Sequence, residues 1–251
     1  MQEKAAEIET SELPYDVFAP VYDHFFGPEA ARATTRALEV LLLNELPRRS
    51  RILDLCCGTG ELSGWLTHAG YRVTGVDNSG QMLRFAQKRV PSAAFYQADI
   101  REFRPEGKFD AAVSAYNSLP HITAPEDLLR VFSNVRNSLH DGGVFVFDLY
   151  SDAAYAERWR GSFSKVDENF VCIVRASYHR QSARGENLIT VFRRDKQWER
   201  TDTTLTTRCY SSDELHGLLQ QAGFGSIEEH EAAELGVTGA DGRVFWRCRA
   251  L

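Results

Sequence analysis

No excess of positive charge runs through these 251 residues: 29 lysines and arginines stand against 35 aspartates and glutamates, a formal net charge of −6. Nucleic acid and anionic membranes are therefore poor partners, because gripping phosphate needs clustered cations. No apolar run approaches the roughly 18 residues of a membrane span. The opening MQEKAAEIE is acidic, so a basic stretch followed by an apolar one, as a secretory signal requires, is missing. Cysteine is scarce and unpatterned. Cys56, Cys57, Cys172, Cys209 and Cys248 are odd in number and match no zinc-ligand spacing. They read as reduced thiols of a cytoplasmic protein with no metal site, most of them small buried hydrophobes. Repeats and low-complexity tracts are absent as well. What remains is ordinary: 43% hydrophobic and 25% charged residues, at a length that fits one large α/β domain with an inserted subdomain.

The pattern along the chain gives the layout. Residues 1–12 are polar and read as loose. A helix is expected from near Pro28 to before Pro47. Residues 51–56 form an apolar strand broken by Gly58 and Gly60, and Leu62, Trp65, Leu66 and Ala69 follow at helical spacing, with Gly70 as a stop. A short strand ends at Asp77, and Ser79 can cap the next helix. Phe95-Tyr96 is a strand running out at Asp99, and residues 109–114 are another. Thr123 to Glu126 reads as a capping box before the stripe Leu128, Phe132, Val135, Leu139, and Asp141-Gly142-Gly143 turns into the strand 144–147. Such alternation demands a mainly parallel sheet with helices on both faces. From about Phe163 to Tyr210 the chain is strand-like throughout, with turns near residues 182–185 and 195–197, an antiparallel meander. Ser211 to Glu214 is a second capping box, its helix ends at Gly223, and two final strands lie near Ile227 and at 244–246.

Three strand ends carry the chemistry. After Asp54, the turn Cys56-Cys57-Gly58-Thr59-Gly60 can bring backbone close to a ligand at a helix N-terminus. Asp77, 17 residues after Gly60, can take both hydroxyls of a ribose. Asp99 is placed to accept from an adenine amino group. All three fall at the C-terminal ends of consecutive parallel strands, where open α/β sheets bind ligands.

In order and spacing, LDLCCGTG, GVDNSGQML, QADI, FDAAVSAYNSLPHI and LHDGGVFVFDL resemble the successive motifs of class I S-adenosylmethionine-dependent methyltransferases. The resemblance covers residues 51–150 closely and extends to the segment 208–224. It implies a Rossmann-like fold with a mainly parallel seven-stranded sheet, helices on both faces and an inserted antiparallel β-meander. It implies S-adenosylmethionine as cofactor, with Asp54, Cys56, Gly58 and Gly60 lining its methionine part. Asp77 would hold the ribose with Asn78 and Met82 beside it, and Asp99 and Ile100 the adenine. The family usually has glycine where this chain has Cys56.

The insertion and the opening 15–23 resemble the small-molecule branch, similar in layout to glycine and aminosugar N-methyltransferases. There an N-terminal segment folds over the cofactor, so Tyr22 and Tyr15 are candidate contacts; packing alone would also explain them. Residues 1–50 then form a helical cap, 51–158 and 211–251 the methyltransferase domain, and 159–210 a sheet covering the active site, or alternatively a homodimer interface. Tyr116 and Asn117 are expected near the transferring methyl, and His121 is the candidate base for a nitrogen or oxygen of a small-molecule acceptor, its rival reading being a packed loop histidine. A nicotinamide-dependent oxidoreductase would want glycine or alanine where Ser63 stands and has no need for Asp99. A catalytically silent binding module on the same fold is the other rival.

Overall fold

The computed structural model describes residues 13–251, so the loose reading of residues 1–12 lies outside the described residues. From Pro14 the chain is helical for thirty residues: α1 (Pro14–Val21), a π-helical turn at Tyr22–Phe26, α2 (Gly27–Leu38) and a second π-helical turn at Glu39–Leu43. The expectation of a start near Pro28 is corrected here. Pro20 and Gly27 look like breakers in the sequence, yet Pro20 sits inside α1 and the backbone N–H of Gly27 reaches the carbonyl of Tyr22 in the wider i→i+5 turn.

The body then alternates. It runs β1 (Arg51–Leu55), α3 (Glu61–His68), β2 (Arg72–Asp77), α4 (Gly80–Arg89), β3 (Ala94–Gln97), β4 (Phe109–Ser114), α5 (Pro125–Ser138) and β5 (Leu139–Tyr150). After α6 (Asp152–Arg158) come four antiparallel strands, β6 (Gly161–Val166), β7 (Phe170–His179), β8 (Arg184–Arg194) and β9 (Trp198–Arg208). The chain closes with α7 (Ser212–Gln221), β10 (Phe224–Glu231) and β11 (Arg243–Ala250). The main sheet has the order β10-β11-β5-β4-β1-β2-β3, in which β1 pairs in parallel with both β2 and β4, and β11 is antiparallel to β5 and β10. Strand order therefore reverses at β1 and β4, and the crevice at their C-terminal ends is the place such sheets bind ligands.

Both faces of this sheet are covered, which is why its strands read as continuous apolar runs. Leu53, Leu55, Phe145 and Phe147 pack under α5 and α7 with Trp246. Ile52, Val113 and Val146 pack under α2 and α3 with Leu38 and Leu62. Two local expectations need correction. Thr123 forms no capping box: the N-cap is Ala124, without a side-chain bond, and Pro125 opens α5 with its fixed φ. The turn expected at residues 141–143 is absorbed into β5, which starts at Leu139 and passes a register shift opposite β4, with Gly142 at φ +77°. The second box is formed, Ser211 and Glu214 capping each other's backbone N–H.

The small sheet, ordered β6-β7-β8-β9, lies against the N-terminal helix. Cys172 pairs with Val191 and Val174 with Ile189, and these four with Leu205 enclose Phe18 and Val21 of α1. Burying such a side chain contributes about 1.5–3 kcal/mol, which holds helix and sheet together. Phe170 joins them, but Ile173 pairs with Thr190 on the opposite face. Ile173 falls on that other face because side chains alternate along a strand.

Candidate functional site

One cavity of about 450 Å³ opens at the reversal point. It is bordered by Cys56 after β1, Asp77 and Asn78 at the end of β2, Asp99 and Ile100 after β3, Tyr116 and His121 after β4, Met82 of α4, Gly58, and Tyr15 and Tyr22 of the N-terminal helix. Asp54 instead borders a smaller adjoining cleft of about 40 Å³, shared with Tyr22, Cys56, Gly58, Thr59 and Tyr116. Gly60 and Asn117 border neither. Gly60 is architectural: its φ is +80°, and a Cβ there would lie 2.8 Å from the Ala86 backbone of α4. Asn117 is spent on the scaffold. Its side-chain N–H donates to the Tyr155 hydroxyl at 3.2 Å and its carbonyl accepts from Tyr150 N–H at 3.1 Å.

The first turn is built from left-handed residues. Cys56 has φ +55° and Gly58 φ +52°. Glycine adopts that conformation freely and cysteine does not, so Cys56 carries backbone strain at the site. Asp77 holds the turn against the next one: one carboxylate oxygen accepts from Gly58 N–H and the other from Ser79 N–H, both at 2.9 Å. Burial pushes the Asp77 carboxyl up, opposed by those two bonds. Asp54 is 1% exposed and accepts from the Ser63 hydroxyl at 2.6 Å. Burial raises its pKa to about 7, the Ser63 bond opposing and the charge of Asp77 adding. Ser63, the departure from the dinucleotide fingerprint, thus has a defined partner.

Asp99 does not stand free. Arg101 grips both its oxygens, with Nε at 3.0 and 2.9 Å, and the bonds from Arg101 hold its carboxyl below the usual range. Arg101 also reaches Asp127 at 3.1 Å, and both line the cavity. Neither was legible as a site residue.

On the opposite wall His121 Nδ1 lies 2.9 Å from the Thr206 carbonyl of β9, and Nε2 lies 2.9 Å from the Tyr15 hydroxyl. A carbonyl only accepts, so Nδ1 carries the proton and Tyr15 donates to Nε2. Burial lowers the His121 pKa to about 4, against the Thr206 bond, which keeps the ring neutral near pH 7. Thr204, Leu205 and Thr206 complete this wall. Asp16, which the sequence did not single out, fixes α1 over the site: it accepts from the Ser79 hydroxyl at 2.6 Å and from Gln81 N–H at 3.2 Å.

Residues 52–143 match the model of a methyltransferase domain family. The Bacillus subtilis (strain 168) protein YqeM, which carries a methyltransferase name, is 34% identical over 84% of this chain and 86% of its own length. The dTDP-3-amino-3,4,6-trideoxy-α-D-glucopyranose N,N-dimethyltransferase of Streptomyces venezuelae is 31% identical over 56% of this chain and 61% of its own. The crystal structure of an S-adenosylmethionine-dependent methyltransferase from Clostridium acetobutylicum superposes with a TM-score of 0.78 at 24% identity, covering 94% of this chain and 98% of that one. The strand order, the glycine turn, the acidic strand ends and these relatives agree: the chain belongs to the class I S-adenosylmethionine-dependent methyltransferases.

Proposed function

We propose that the protein methylates a nitrogen or oxygen of a small-molecule acceptor, an amino nitrogen foremost, held between Tyr15–His121 and β9. The single observation behind this reading is the hydrogen-bonded chain Thr206–His121–Tyr15, which brings a hydroxyl to the cavity wall facing the acidic strand ends. The name of the Streptomyces venezuelae relative, an aminosugar N,N-dimethyltransferase, supports nitrogen.

The cavity suits the cofactor. It falls in the usual range for small ligands, about 300–1,000 Å³. Among the described residues, a Cβ on Gly58 would meet only the Tyr22 ring, 4.0 Å away, and the buried Thr59 hydroxyl in the adjoining cleft has no partner. Asp77 keeps acceptor capacity beyond its two backbone bonds and would take the ribose hydroxyls. Asp99 and Ile100 would meet the adenine, Asn78 and Met82 would flank the nucleoside, and Asp54, Cys56 and Gly58 would surround the methionine portion. Gly60 and Asn117 serve by shaping the turns. The cofactor, when bound, supplies an already activated methyl group, so the protein has chiefly to align the acceptor and exclude water. Of the N-terminal segment, residues 13–50 cap the methyltransferase body, 51–158 and 211–251, and the sheet of 159–210 encloses the acceptor with them.

His121 works through Tyr15. A neutral ring of pKa about 4 is a weak destination for the proton of an ammonium, so its part is to orient the Tyr15 oxygen toward the acceptor. His121→Ala is expected to lower turnover about tenfold on a panel of amines, with unchanged S-adenosylhomocysteine affinity and an unchanged pH profile between pH 6 and 9. Loss of a rate inflection in that window would make His121 the base; turnover at the wild-type rate would remove the dyad from the mechanism.

A further inference from the structure

We propose that Arg243 is a positioning residue for methyl transfer, acting through the loop Tyr116-Asn117. The inference rests on the reading of the cavity as the methyl-transfer site. Two consecutive residues that are not glycine take left-handed backbone here, Tyr116 at φ +74° and Asn117 at φ +53°. Strained pairs of this kind persist only where surroundings over-determine them. Asp148, 1% exposed near the end of β5, does this: its two oxygens accept the backbone N–H of Tyr116 at 2.8 Å and of Asn117 at 3.1 Å.

A carboxylate so buried needs a cation. Arg243 of β11, 2% exposed, meets it with a two-pronged contact, Nε at 2.8 Å and Nη2 at 2.9 Å. The same guanidinium lies 5.0 Å from the centre of the Tyr116 ring, which borders the cavity, and donates to the Thr34 hydroxyl of α2 at 2.8 Å. One side chain therefore ties the strained loop, its carboxylate clamp and the N-terminal helix together. Stability alone does not call for such a pair, since apolar residues of similar volume commonly serve a core as well. Apolar residues cannot hold two N–H groups in a left-handed turn with an aromatic ring above.

The test is Arg243→Lys, which keeps the charge beside Asp148 and removes the fork and the stacking plane. Arg247→Lys is the control: Arg247 is 7% exposed on the same strand, bonded to Leu41, Glu45 and Glu228, and does not border the cavity. In Arg243→Lys, amide hydrogen exchange at Tyr116 and Asn117 is expected to rise about tenfold while the β1 amides keep their protection. Calorimetric affinity for S-adenosylhomocysteine is expected to fall about fivefold. Arg247→Lys is expected to leave both within about twofold whatever its melting temperature. Should Arg243→Lys not fold, Thr34→Val carries the test with the ion pair intact and about threefold faster exchange at the same two amides. Unchanged protection there in a folded variant, or a loss no different from the control, overturns the proposal. S-adenosylhomocysteine that shifts no amide in residues 115–121 of the wild type would instead overturn the reading of the cavity and leave the exchange result standing.

Discussion

The two walls of the cavity are made in different ways. The wall at the ends of β1, β2 and β3 is local: Asp77 ends its strand, Cys56, Gly58 and Asp99 follow theirs by one to three residues, and the bonds between them join neighbouring turns. The facing wall is assembled from afar, Tyr15 meeting His121 across 106 residues and His121 meeting Thr206 across 85. Cofactor recognition in this fold rests on backbone turns that a short motif can specify. Acceptor recognition, on the proposed reading, rests on tertiary contacts, which leave chemistry free to vary without disturbing the sheet.

That contrast can be broken from either side. The largest effect is expected in the scaffold behind the local wall. Gly60→Val adds a Cβ 2.8 Å from the Ala86 backbone at a left-handed position, so thermal unfolding should show a loss of about 3 kcal/mol or more, or no folded protein. Asp54→Asn comes next and depends on pH. A carboxyl whose folded pKa is raised to about 7 costs stability where it is ionised, and that cost grows as pH rises from about 4 to about 7. Without ligand, the variant should melt higher than wild type by on the order of 5 °C at pH 8 and level with it near pH 4. On the distant wall, Asp16→Ala removes the bonds to Ser79 and Gln81, so S-adenosylhomocysteine affinity should fall by about threefold to tenfold in calorimetry with the sheet's melting nearly unmoved. The smallest effect belongs to Cys56→Gly. Relief of the φ +55° strain should raise the melting temperature by about 2–4 °C, with cofactor affinity retained.

Legibility in the sequence follows the same division. The alternation of apolar strands and amphipathic helices gave the main sheet, and the antiparallel meander was readable from its β-branched and aromatic run. Turn chemistry was legible where one residue decides it, as at Ser79, whose hydroxyl caps α4 at 3.1 Å, and at the Ser211–Glu214 box. It misled at Thr123, where proline preset the helix start, and near Pro28, since the helix already begins at Pro14 and a π-helical turn carries it into Gly27. Asp16, Arg101, Asp148 and Arg243 escaped notice because each matters through a partner far along the chain or through a neighbour's carboxylate. Asn117 and Gly60 were legible as important and act on the scaffold beside the cavity.

The central claim is that the acidic strand ends bind the nucleoside of the cofactor, and Asp77 tests it most directly. Titration of S-adenosylhomocysteine into wild type and Asp77→Ala by calorimetry should show affinity reduced at least about tenfold in a variant that remains folded, because charge-assisted bonds of about 1.5–3 kcal/mol each are lost. Equal affinity in a folded Asp77→Ala protein would contradict the account.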